Sequence, residues 1–121
     1  MAIILLVDDS NTEIHVFSRM LEKHGHTVLI AKNGHEALTV AAQYLPDLIL
    51  MDIVMPEMDG FQATRRLRGQ ASTAHIPIAM LSAKDQQTDH IWAERQGAQA
   101  YIVKPVEEQV LIAEIERLLN S

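Results

Sequence analysis

Leu48-Ile49-Leu50-Met51-Asp52 is entered from Pro46-Asp47 and left through Ile53-Val54-Met55-Pro56-Glu57-Met58-Asp59-Gly60. Four apolar residues run without alternation, end on an acid and give way to turn formers. Such a run reads as a strand covered on both faces, as in a parallel sheet. Four more runs share this character: Ile3–Val7 (IILLV), Thr27–Ala31 (TVLIA), Ile76–Leu81 (IPIAML) and Tyr101–Val103 (YIV). None alternates apolar with polar residues, so all five are expected to be covered on both faces. Their centres at Leu5, Leu29, Ile49, Ala79 and Ile102 lie 24, 20, 30 and 23 residues apart. Each interval holds a crossover helix and two loops. Pro77 sits near the start of its run, where a missing N–H is tolerated.

The intervals carry helical periodicity and punctuation. Ser10 and Glu13 have capping-box spacing, Ile14, Phe17 and Leu21 share one face behind them, and Gly25 suits the stop. Asn33 and Glu36 repeat the cap ahead of Ala37, Leu38, Ala41, Ala42 and Leu45. Phe61, Thr64, Leu67 and Arg68 mark a third helix ending at Gly69. The fourth, about Asp85–Gln96, is the least amphipathic, with Ile91 and Trp92 its only large apolar residues; the fifth aligns Leu111, Ile115 and Leu118. The expected fold is α/β, a (βα)5 doubly wound parallel sheet with strand order 2-1-3-4-5 and flavodoxin-like topology. Residues 1–121 read as one domain, with no internal repeat or linker and no effector domain.

Composition narrows the function classes. With 121 residues, 48% hydrophobic and 21% charged, the chain is ordinary globular protein with one core. Cysteine is absent, which removes disulfides, thiolate metal sites and thiol redox chemistry. Ten Lys+Arg against 16 Asp+Glu give a net charge of −6, unsuited to a domain dominated by nucleic-acid phosphate contact. The apolar run Ala2–Val7 has no basic flank and is too short for a signal peptide or membrane span. A cytoplasmic location is expected.

In open parallel sheets the site lies at the carboxyl ends of the strands. The first run ends in Asp8-Asp9, the third in Asp52, the fourth in Ser82 and the fifth in Lys104-Pro105. Singly, each also reads as a solvated turn, a cap or a surface charge. Together they put three carboxylates, a hydroxyl and an ammonium on one rim. Three carboxylates in one pocket repel unless a cation intervenes. An oxygen-only donor set without cysteine favours Mg²⁺, or Mn²⁺, over zinc. Beside such an ion Asp52 can act as a nucleophile toward a phosphoryl group, with Lys104 and Ser82 meeting its oxygens.

LVDDS, LILMDIVMPEMDGF, LSAK and YIVKPV, in this order and spacing, resemble the receiver domain of two-component response regulators, the CheY-like family. The resemblance covers essentially the whole chain. It implies that Asp52 is the phosphoacceptor and that Asp9 and Asp52 ligate Mg²⁺. Asp8 would act mainly through water, and the Val54 carbonyl would complete the protein ligands. Ser82 and Tyr101 stand at the switch positions, small Ala83 leaves the phosphoryl open, and Lys104 is expected to precede a cis Pro105. Val54 and Lys84 occupy two variable positions that influence acyl-phosphate lifetime. The implied partners are a histidine kinase or its phosphotransfer domain, and a downstream protein reading the fourth-helix, fifth-strand and fifth-helix face. MLEKHGH, MDIVMP, GFQATR and KDQQTDHIWAERQGA further resemble the single-domain regulators of twitching motility that work with a chemotaxis-like histidine kinase.

Other features have simpler readings. His15, His24, His26, His35, His75 and His90 are scattered without helical metal-site spacing and read as surface or loop residues. Met51, Met55 and Met58 read as packing, Trp92 as a contact residue, and Arg65, Arg66 and Arg68 as a solvated basic face. Two other functions fit the topology: an aspartate-nucleophile phosphatase and a flavodoxin-like cofactor carrier. The first needs an acid/base carboxylate two residues past the nucleophile, where Val54 stands. The second needs a phosphate loop after the first strand, where Asp8-Asp9 would repel phosphate.

Overall fold

The computed structural model describes residues 1–121. Five strands and five helices alternate: β1 (Ile3–Val7), α1 (Asn11–Lys23), β2 (Thr27–Ala31), α2 (Gly34–Tyr44), β3 (Leu48–Met51), α3 (Gly60–Gly69), β4 (Ile78–Ser82), α4 (Gln87–Gln96), β5 (Ala100–Val103) and α5 (Glu108–Leu119). The sheet is wholly parallel, as the spacing of the apolar runs predicts, and its order β2-β1-β3-β4-β5 is the one expected for the doubly wound fold.

Residues of each central strand divide between two cores. Leu5, Val7, Ile49, Met51, Ile78 and Met80 face Ala37 and Ala41 of α2, Ala63 and Leu67 of α3, and Ala93 of α4. Ile4, Leu6, Leu48, Leu50, Ala79 and Leu81 face Phe17 and Leu21 of α1 and Leu111, Ile112, Ile115 and Leu118 of α5. Fully burying a Leu or Ile side chain contributes about 1.5–3 kcal/mol, so these two layers dominate stability. The expectation that all five strands are covered on both faces holds for β3 and β4, and for β1 except exposed Ile3. It fails for β2 and β5, which retain partly exposed residues. They are the sheet edges, where each strand has a neighbour on one side only.

Helix starts follow the side-chain chemistry. Ser10 and Asn33 accept hydrogen bonds from the backbone N–H groups of Glu13 and Glu36. At α3, Asp59 and Gln62 form a full reciprocal capping box. At α1 the box is half made. Ser10 caps Glu13 N–H, but the Ser10 N–H donates to Asp8 Oδ1 at 2.9 Å, and the Glu13 carboxylate goes elsewhere. α4 begins at Gln87, two residues later than expected, and buries Ala93 alone, leaving Ile91 and Trp92 exposed. Gly97 ends it at φ 105°, a conformation that favours glycine.

Arg68 departs from the solvated face expected of it. Its guanidinium, partly buried, donates to the carbonyls of Gly97, Ala74 and Ile76 and to Gln99 Oε1, at 2.6–3.0 Å. It ties the end of α3 to the entries of β4 and β5, while Arg65 and Arg66 are exposed. A planar five-donor fork suits this task.

Candidate phosphoacceptor site

The site forms where the sheet's hydrogen-bond ladder runs one residue past each strand. Asp8 N–H donates to Ala31 O, Asp52 N–H to Val7 O and Lys104 N–H to Ser82 O, at 2.9–3.1 Å. Asp8, Asp52 and Lys104 are thereby pinned on rigid backbone with their side chains above the carboxyl edge. Buried polar residues need partners, and Asp8 (1% exposed), Asp52 (8%) and Ser82 (1%), all buried here, each have one within or beside the site. The loop after β3 closes against them. Glu57 takes φ 68°, and the Met58 N–H reaches Pro56 O at 2.8 Å. Gly60 N–H donates to Ile53 O at 2.8 Å, and a Cβ at Gly60 would collide with the Asp52 carbonyl.

Lys104 is the hub. Its side chain is 10% exposed, and the ammonium lies 2.8 Å from Glu13 Oε1, 3.1 Å from Asp8 Oδ2 and 3.8 Å from Asp52 Oδ1. Burial works against its charge, but the hydrogen bonds to Glu13 and Asp8 and the field of Asp52 outweigh that and hold its pKa above the ordinary value. The Asp52 pKa is raised to about 6, by burial first and by Asp8 and Glu13 next, with Lys104 and the Ile53 N–H pulling the other way. Asp52 Oδ1 accepts from that N–H at 2.8 Å.

Of the expected carboxylates, Asp8 and Asp52 converge while Asp9 is exposed at the rim. Glu13 completes a group whose oxygens lie within 4.8 Å of one another. Sequence reading missed Glu13 because its spacing from Ser10 assigned it to the cap. The available signal was its position one turn into the helix that leaves the first strand's carboxyl end. Three carboxylates against one ammonium leave the pocket negative, and hard oxygen donors suit a small divalent cation, so the residues fit Mg²⁺. Val54 is exposed two residues past Asp52. Ser82 Oγ accepts from Lys84 N–H at 3.3 Å. Tyr101 donates to Lys84 O at 2.8 Å and stacks on His90, with ring centroids 4.0 Å apart, while His90 pairs with Asp85. The Lys104–Pro105 peptide is cis, as the resemblance implies. Met51, Met55 and Met58 are buried.

A parallel 2-1-3-4-5 sheet with buried acids and a lysine above its carboxyl edge defines a phosphoacceptor class, and residues 4–116 match the response regulator receiver domain family. The chain belongs to that family, whose members are phosphoacceptor switches of two-component systems that interact with histidine kinases and downstream targets. It is 52% identical over 119 residues to protein PilH of Pseudomonas aeruginosa, covering 98% of both chains. Among solved structures, the chemotaxis protein CheY4 of Vibrio cholerae superposes with a TM-score of 0.93 at 32% identity, over 98% of each chain. The receiver domain of a Pseudomonas aeruginosa sensor histidine kinase, with a magnesium ion coordinated in its active site cleft, also gives 0.93 at 32% identity, over 99% of this chain and 98% of that one. No helix here is long and apolar enough to cross a membrane.

Proposed function

We propose that this chain is a stand-alone response regulator in which Asp52 accepts a phosphoryl group from a histidine kinase or its phosphotransfer domain. The observation that carries this reading is the meeting of Asp52, Asp8, Lys104 and Ser82 at one rim. An Asp52 carboxylate oxygen forms a bond to phosphorus while the P–N bond of the donor phosphohistidine breaks, its electron pair passing to the imidazole. Lys104 meets the negative charge of the transferred group, and Ser82, whose hydroxyl proton is uncommitted to the backbone, donates to a phosphoryl oxygen. Asp9, Asp52 and the Val54 carbonyl would hold Mg²⁺, or Mn²⁺, with Asp8 acting mainly through water, and such an ion would supply positive charge beside the phosphoryl oxygens. Reversal is hydrolytic: water adds to phosphorus, the bond to Asp52 breaks with its pair returning to the carboxylate, and inorganic phosphate leaves. The chain is not a multiple-turnover enzyme, and autodephosphorylation only resets it.

Phosphorylation adds charge beside Ser82, and Tyr101 couples that change to the α4, β5 and α5 face, which a downstream protein reads. Exposed Ile91, Trp92 and Val110 on α4 and α5 support that surface. Where no target reads it, the chain drains phosphoryl groups from a shared kinase. The likeness to PilH supports a cytoplasmic role in type IV pilus twitching motility. Incubation with acetyl phosphate and Mg²⁺ should label the protein, and Asp52→Ala should remove all labelling. Label persisting in that variant defeats the assignment.

A further inference from the structure

The geometry points to Glu13 as a positioning residue that holds the Lys104 ammonium away from the phosphoacceptor until a phosphoryl group competes for it. This rests on the reading of Asp52 as phosphoacceptor. The first observation is the half-made capping box: Ser10 and Glu13 have the spacing of a reciprocal cap, yet the Glu13 carboxylate leaves it. A first-turn glutamate that forgoes its cap needs a better partner, and it has one in Lys104 at 2.8 Å. This is the shortest of the ammonium's three carboxylate contacts. Asp52 is the farthest, at 3.8 Å.

The three partners are not equivalent. Asp8 is buried, already accepts from Ser10 N–H and is one of the carboxylates assigned to the ion. Glu13 projects from α1 with its side chain 37% exposed, and its carboxylate accepts no other hydrogen bond. An ammonium has three N–H donors and no acceptor. To meet a phosphoryl oxygen on Asp52 it must give up part of its present set, and the half-solvated Glu13 is the partner most readily left to water. The ion pair between Glu13 and Lys104 therefore opposes phosphoryl capture. Weakening it frees the cation for the incoming group.

The test measures labelling of the full chain by acetyl phosphate in Mg²⁺ buffer. In that reaction the Asp52 oxygen bonds to phosphorus and acetate departs with the electron pair of the broken P–O bond. Glu13→Gln, isosteric and on a half-exposed helix face, should label roughly three- to fivefold faster than the parent, the scale of one partly exposed ion pair. Glu13→Asp keeps the charge but shortens the arm, and should be accelerated similarly. In a Lys104→Met background the Glu13→Gln acceleration should vanish, an outcome that a merely structural role for Glu13 would not give. Unchanged labelling of Glu13→Gln overturns the proposal. So does a Glu13→Asp rate equal to the parent's, which reduces Glu13 to bare charge repulsion, or an acceleration that survives without Lys104. Failure of the parent itself to label would instead overturn the phosphoacceptor reading.

Discussion

Two aspartates bracket the four-residue strand β3 and have opposite fates. Asp47, at the entry, is exposed. Its carboxylate accepts from Ile3 N–H at 2.8 Å, and its own N–H donates to Ile3 O at 2.7 Å, so it splices β1 to the approach of β3. Asp52, at the exit, is buried among two further carboxylates and one ammonium, with its pKa raised to about 6. The residue type and strand are the same, so the difference comes from which end of a parallel sheet the side chain occupies. At the amino edge an acid finds water and backbone donors. At the carboxyl edge it is gathered with the ends of three other strands. The entry aspartate serves the fold, whereas the exit aspartate is kept at a cost in stability.

The largest expected effect tests that cost. Lys104→Met leaves Asp8, Glu13 and Asp52 with no cation, and stripping one partner from a buried charge cluster costs about 3 kcal/mol at neutral pH. The urea midpoint should fall accordingly in chelator and recover on adding Mg²⁺ or on acidification. An unchanged midpoint would mean that the three acids do not strain the fold.

Next in size is Asp52→Asn, which should stabilise the protein by about 1–2 kcal/mol at pH 7 in chelator. The sign follows from the raised pKa. Folded Asp52 binds its proton more tightly than the unfolded chain does, so parent stability should rise as pH falls from about 7 through 6 toward 4. The corresponding penalty returns as pH rises. Asp52→Asn should lose this contribution, which paired unfolding curves across that range would read. A destabilised variant would break the contrast between the two aspartates.

The smallest effect belongs to the entry residue. Asp47→Ala removes the acceptor for Ile3 N–H and should cost about 1 kcal/mol, with acetyl-phosphate labelling unchanged. Equilibrium unfolding and the labelling rate, measured together, check both halves. Lost labelling would show that the two ends of β3 are coupled.

Much of this contrast was legible in the chain itself. Apolar runs at crossover spacing implied the sheet, and the residue after each run implied the rim, because parallel strands place all their carboxyl ends on one side. What could not be read was side-chain choice. Glu13 satisfies the local rule for a cap, and only the position of Lys104, 91 residues away in sequence, explains why it abandons that role. Arg68 reads as one of three solvated arginines until the entries of β4 and β5 supply carbonyls within reach. The partial exposure of β2 and β5 follows from the expected strand order, which makes them the edges, but reading each apolar run by itself as covered on both faces overlooked it.

On the proposed function, the buried exit aspartate of β3 carries the phosphoryl group. Borohydride reduces an aspartyl phosphate to homoserine. The most direct measurement is therefore peptide mapping of the kinase- or acetyl-phosphate-treated protein after borohydride reduction. Homoserine at position 52, dependent on Mg²⁺, is the predicted result; homoserine at position 8 or 9, or phosphate retained on a histidine, would contradict it.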